Sequence, residues 1–203
     1  MPNPTRRMVR VWLWLACVIL LMADYSAHAQ VDIFMSIGGS PSPMGANPQT
    51  PPLLQGDSLD AQYPKWIQLT SVQMGAGRGI SLGGGTVSAS DPSLSEVTIS
   101  KMTDSTTPSL FVLCCGGTAT VSQPINYVTI DFRKTGSSQV FYRLQLQNVY
   151  VSGASTSGGG GIPSESLSLF YTKISWSYVT FDQYSKVQST VTKGWDVVKN
   201  AAF

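Results

Sequence analysis

The sequence predicts a mainly β fold, an antiparallel β-barrel or sandwich carrying one short α-helix. Three observations predict it. Only 12% of the 203 residues are charged while 42% are hydrophobic, and 19 glycines and 12 prolines punctuate the chain; such a chain suits short strands joined by turns and has too much apolar content for disorder. Apolar and polar residues alternate in several runs of strand length. A single segment carries helix start and stop signals.

Taken in order, Val31–Ile37 (VDIFMSI) reads as the first strand. Residues 38–52 contain five prolines and form a loop by composition. Lys65–Met74 places Ile67 and Leu69 on one face, then Val72 and Met74 after a slip of phase, which predicts a bulge or bend within a strand. The glycines of 75–79 and 83–85 make the next segment a flexible turn or arm. Further strands are expected at Ser95–Met102, Ile125–Lys134, Gln139–Val151, Ser166–Phe181 and Lys193–Lys199, with Gly136-Ser137-Ser138 as a hairpin connection. Between them, Thr107–Cys115 (TPSLFVLCC) predicts a short helix. Thr107 is a capping residue, Pro108 suits the first helical position, and Gly116-Gly117 ends the run. Leu110, Phe111, Leu113 and Cys114 give that helix its apolar face.

The N-terminus predicts export. Arg6, Arg7 and Arg10 precede the unbroken apolar run Val11–Ala23, and Ala27-His28-Ala29 supplies a small-x-small cleavage pattern. Thirteen apolar residues match a signal core and fall short of a membrane span. The expected signal peptide is therefore residues 1–29, cut after Ala29, with an uncleaved anchor as the alternative and the membrane touched only through this segment. Arg6-Arg7 hints at twin-arginine export, but Arg10 and the Leu/Trp-rich core favour the general route. The mature chain, residues 30–203, is expected to be one β-barrel domain, secreted or periplasmic. If the signal goes unused, it is cytoplasmic before secretion.

Cleavage changes the chemistry available. The signal segment takes three of 13 basic residues and one of 11 acids, so ten of each remain and the formal +2 becomes zero. Such a chain lacks the clustered Lys/Arg of a nucleic-acid binder. The single histidine, His28, leaves with the signal, which removes Ser-His-Asp, Cys-His and histidine-metal chemistry. No glycine run matches a phosphate loop. The expectation is a non-enzyme with no catalytic, cofactor-binding or metal-binding residue and no cofactor. Cys114 and Cys115 read as small apolar fillers of the helix, with redox or intermolecular pairing as the alternative. Asp57 and Asp60 could touch a cation but read as solvated turn acids. Trp66, Trp176, Tyr178 and Trp195 could form a sugar-stacking platform, and fill a core or subunit seam on the preferred reading.

Several segments in order resemble the haemolysin-coregulated protein (Hcp) family, the tube proteins of bacterial type VI secretion systems. They are Val31–Ile37; Gly56-Asp57-Ser58-Leu59-Asp60 leading into Tyr63-Pro64-Lys65-Trp66-Ile67 and on to Gly75; and Thr98–Asp104, followed by Pro108-Ser109-Leu110 and Cys114–Gly117. The C-terminal part carries the strongest likeness, in Leu146–Ser152, Gly158–Gly161, Pro163–Tyr178 and Thr192-Lys193-Gly194-Trp195-Asp196. The resemblance implies a structural protein that forms hexameric rings stacked into a tube. Its other partners would be the spike, sheath and effector proteins of a type VI secretion system. Subunit contacts are expected from 75–89, 152–163 and neighbouring strand edges. Two features depart from the family: a cleavable signal, and a longer Pro-rich first connection. The alternative function is a secreted β-sandwich module recognising a glycan or surface partner.

Overall fold

Strand β1 (Val31–Ile37) buries Met35 and Ile37 inward and Phe34 on its opposite face, so this first strand is covered on both sides. The computed structural model describes residues 30–38, 52–119 and 121–203. The expected signal segment and most of the Pro-rich loop lie outside these residues. The predicted strand 65–74 is two, β2 (Ile67–Leu69) and β3 (Ser71–Gln73), broken at Thr70 where the phase slips. β4 (Ala76–Gly77), β5 (Ile80–Gly83), β6 (Thr86–Ala89) and β7 (Ser93–Leu94) follow, then β8 (Val97–Met102), the helix α1 (Thr107–Cys114) and β9 (Ile125–Lys134). The last part comprises β10 (Val140–Ser157), β11 (Ser164–Phe170), β12 (Lys173–Phe181), β13 (Val187–Asp196) and β14 (Ala201–Ala202).

All pairings are antiparallel, and the 18-residue β10 organises them. Its first part lies between β9 and β12, with Leu144 opposite both Ile130 and Trp176. From Tyr150 onward it pairs with β11, with a register shift between Val151 and Gly153. β11 and β12 together are one long companion to β10, broken at Tyr171-Thr172. The ladder then runs from β11 to β8 and β3 on one side, and from β9 to β1 and β2 on the other. These two ends are separated only by Thr70, whose N–H donates to the Ser100 carbonyl at 2.8 Å. The sheet thus wraps the core without closing into a continuous hydrogen-bonded ring.

Alternation fills the interior. Val97 and Ile99 of β8, Ile130 and Val128 of β9, Leu144 and Leu146 of β10, and Leu167 and Leu169 of β11 are all buried in one cluster. Helix α1 packs against β10 and adds Leu110 and Leu113 to that cluster. The helix begins at Thr107 itself, so its N-cap is Thr106 rather than Thr107; the Asp104 carboxylate accepts the N–H (2.9 Å) and the hydroxyl (2.5 Å) of Thr106. Cys114 packs against the core as expected, whereas Cys115 is exposed at the helix end and does not fill it.

Candidate assembly surface

Residues 75–95 leave the barrel as a hairpin arm. The glycine-rich segment is not merely a turn: β5 and β6 pair with Leu82 opposite Val87, and β4 pairs with β7 at its root. Gly84 and Gly85, with φ of 58° and 81°, form the two-residue turn that needs positive φ at both positions. The Arg78 Nε donates to the Ser90 carbonyl at 2.8 Å, and the Ser81 and Ser88 hydroxyls meet at 2.6 Å. Ile80, Leu82, Val87 and Ala89 share one face of the arm, and Ser81, Ser88 and Thr86 share the other. The apolar face is bare, with Ile80, Leu82 and Val87 each at least 65% exposed.

Strand β13 supplies a second open element. β12 pairs along its whole length on one side, but β14 covers only its end, at Trp195 and Asp196. Among the described residues, no strand pairs with the outer edge of Val187–Lys193. Sequence reading placed a strand at 193–199 and missed this longer edge. Between 152 and 163, the expected contact loop is shorter than anticipated, because β10 continues to Ser157 and only 158–163 connects the strands.

Buried charge holds the scaffold behind these elements. Arg143 and Asp131 lie opposite one another on β10 and β9, joined at 2.5 Å (Nε to Oδ1) and 2.7 Å (second guanidinium nitrogen to Oδ2). The Tyr63 hydroxyl donates to the same Asp131 at 3.1 Å, and burial together with that carboxylate pushes the Tyr63 phenol well above its ordinary range. Tyr63 also stacks on Phe34 at 4.4 Å, with Trp66 edge-on, which seals the outer face of β1 and β9. Asp60 accepts both terminal nitrogens of Arg133, at 2.9 and 2.6 Å, and this pairing lowers its carboxyl below the usual range. Asp57 accepts the hydroxyl and N–H of Ser105, at 2.7 and 3.0 Å, and is likewise lowered. Neither turn acid is simply solvated, and each ties the 52–66 loop to the barrel. Their Arg and Ser partners lie about 50 to 70 positions away, so composition gave no sign of either contact.

Sequence alone also assigned no role to Lys101, Glu165 and Asp104. They meet beneath the start of α1, with Lys101 Nζ 2.8 Å from Glu165 Oε2 and 2.9 Å from Asp104 Oδ1. The four aromatics read as core or seam, with a sugar platform as the alternative, are divided. Trp66 is buried in the outer-face cluster, Trp176 and Trp195 pack against the main core, and Tyr178 is exposed. Among the described residues, no three His, Cys, Asp or Glu side chains gather as metal ligands, and no helix is long and apolar enough to cross a membrane.

Residues 34–178 match the family model described as "Type VI secretion system effector, Hcp". The chain belongs to the Hcp family. The solved structures agree on the fold. "Structure of a type six secretion system protein" shares 20% identity and a TM-score of 0.70, covering 86% of this chain and 100% of its own. Hcp1 from Salmonella typhimurium shares 20% identity with a TM-score of 0.64, covering 85% and 99%. A type VI secretion system effector from Yersinia pestis shares 19% identity with a TM-score of 0.57, covering 81% and 99%. No curated protein matches. The Hcp match ends at Tyr178, so β13, its open edge and β14 lie beyond the matched residues.

Proposed function

We propose that this Hcp-family chain is a non-enzymatic tube subunit that forms hexameric rings, stacks them, and carries effectors. The observation that carries this reading is the arm with its bare apolar face. A two-stranded hairpin is at best marginally stable in water, and Ile80, Leu82 and Val87 stay largely exposed in the isolated chain. An arm of one subunit meeting a different surface of the next is a heterologous contact, which generates rings when the rotation closes. The open edge of β13 supplies main-chain donors and acceptors for strand addition by a neighbour. Spike, sheath and effector proteins are the further partners of this reading.

Export completes the proposal. The mature chain begins at Gln30, and β1 starts one residue later, so a cut after Ala29 leaves every described strand intact. Loss of the signal also makes the subunit formally neutral, which reduces repulsion between copies.

The arm is tested by Leu82→Asp together with Val87→Asp. The expected result is loss of ring formation with the unfolding midpoint unchanged, because both side chains are exposed in the monomer. Rings that persist in the double variant overturn the arm's role.

A further inference from the structure

The C-terminal residues lie where the proposed ring contact would form. After β13, the Asp196 carboxylate accepts the N–H of Lys199 at 2.9 Å and pairs with Lys173 Nζ at 3.1 Å. Asn200, at φ 51°, then reverses the chain. Ala201 and Ala202 lie against Asp196 and Trp195, and Phe203 exchanges both main-chain hydrogen bonds with Gly194, at 3.1 and 3.2 Å. The Phe203 ring sits directly over Gly194: a Cβ at that position would lie 2.5 Å from a ring carbon. Lys173 Nζ stands 5.8 Å from the ring centroid.

This cover is short and lightly held. β14 has two residues, both exposed, and Phe203 remains 61% exposed. β12, by contrast, grips the other edge along the whole of β13. Segments with few buried contacts and exposed main-chain bonds open at low free energy. Ala201–Phe203 pair only with Gly194–Asp196; among the described residues the same edge of Val187–Lys193 has no partner, and departure of 201–203 would open all ten residues of β13 on that edge.

We propose that Ala201–Phe203 is a displaceable cover on the interaction edge of β13, which a strand of a second copy replaces as subunits associate. The side chains at this edge suit another copy rather than a charged partner. From Val187 to Gly194 the only charge is Lys193, so main-chain pairing and the apolar Val187 and Val191 dominate the contact. The arm of a second copy is the matching strand, since Ala76–Gly83 carries one charge, Arg78, and has its outer edge free. The proposal rests on the ring reading above.

Two variants of the mature chain test it by different routes. Removal of residues 200–203 deletes the cover, and Gly194→Ala keeps the tail but forces its ring off the strand. The monomer–ring midpoint concentration is measured by sedimentation equilibrium, alongside the unfolding midpoint. Both variants should assemble at several-fold lower concentration than the unaltered chain, with the truncated form melting as before. An unaltered chain that assembles while the truncated form assembles no more readily, or less readily, overturns the cover and leaves the ring intact. If the unaltered and truncated chains both stay monomeric, the ring reading and the cover fall together.

Discussion

Lys101 and Glu165 face one another directly across β8 and β11, with 2.8 Å between Nζ and Oε2 and neither side chain reaching solvent. The lysine also donates to the Met102 carbonyl and the Thr107 hydroxyl, so the pair fixes the junction between β8 and the start of α1. Removing Lys101 leaves the Glu165 carboxylate buried and uncompensated. Lys101→Met alone should cost about 3–5 kcal/mol, while Lys101→Met with Glu165→Leu should recover most of that loss. Denaturant unfolding of both variants checks the order. A single variant as stable as the parent contradicts it.

Tyr63 carries the outer-face cluster. Tyr63→Phe keeps the stacking on Phe34 but withdraws a hydrogen bond from the buried Asp131 carboxylate. The expected loss is about 1–3 kcal/mol, read by denaturant unfolding, with the near-ultraviolet signal of Trp66 retained.

Acid should loosen the 52–66 loop. The Asp60 carboxyl is held low by Arg133, so it binds its proton less readily folded than unfolded. Its contribution is therefore fully present above the unfolded carboxyl value of about 3.9 and is lost as pH falls through the lower folded value. Asp60→Asn removes that contribution. Unfolding curves between neutral pH and pH of about 3 should show a shallower acid decline for the variant than for the parent. Parallel declines would mean that Asp60 is not part of the acid response.

Gly56 has no room for a side chain. A Cβ there would lie 2.6 Å from the Trp66 carbonyl oxygen, a main-chain atom that cannot swing aside. Gly56→Ala should cost about 1–3 kcal/mol through this overpacking, and Trp66 emission should shift red as the loop lifts. An unshifted spectrum with unchanged stability contradicts the close approach.

Much of the fold was legible because burial follows alternation. Ile125–Lys134 is a strand with the expected bounds, and the phase slip in 65–74 marks the break at Thr70. Pro108 and Gly116-Gly117 bracketed the helix, although its cap lies one residue earlier, at Thr106. The candidate surface was only half legible. Glycines at 75–85 announced an arm but hid its four short strands, since Gly lowers strand propensity while cross-strand pairing supplies the order. Val187–Thr192 passed unnoticed because both its faces carry exposed residues, so no alternation was present to find. The pairs Lys101–Glu165 and Arg143–Asp131 depend on strand register, which a single sequence does not display.

Export and assembly meet in one preparation. The protein produced with its signal should carry Gln30 as its first residue outside the cytoplasm, and intact Met1 on a cytoplasmic protein would contradict the cut. Sedimentation velocity on that mature chain at high micromolar concentration tests ring formation most directly: a hexamer is the expected species, and a monomer at every concentration would contradict it.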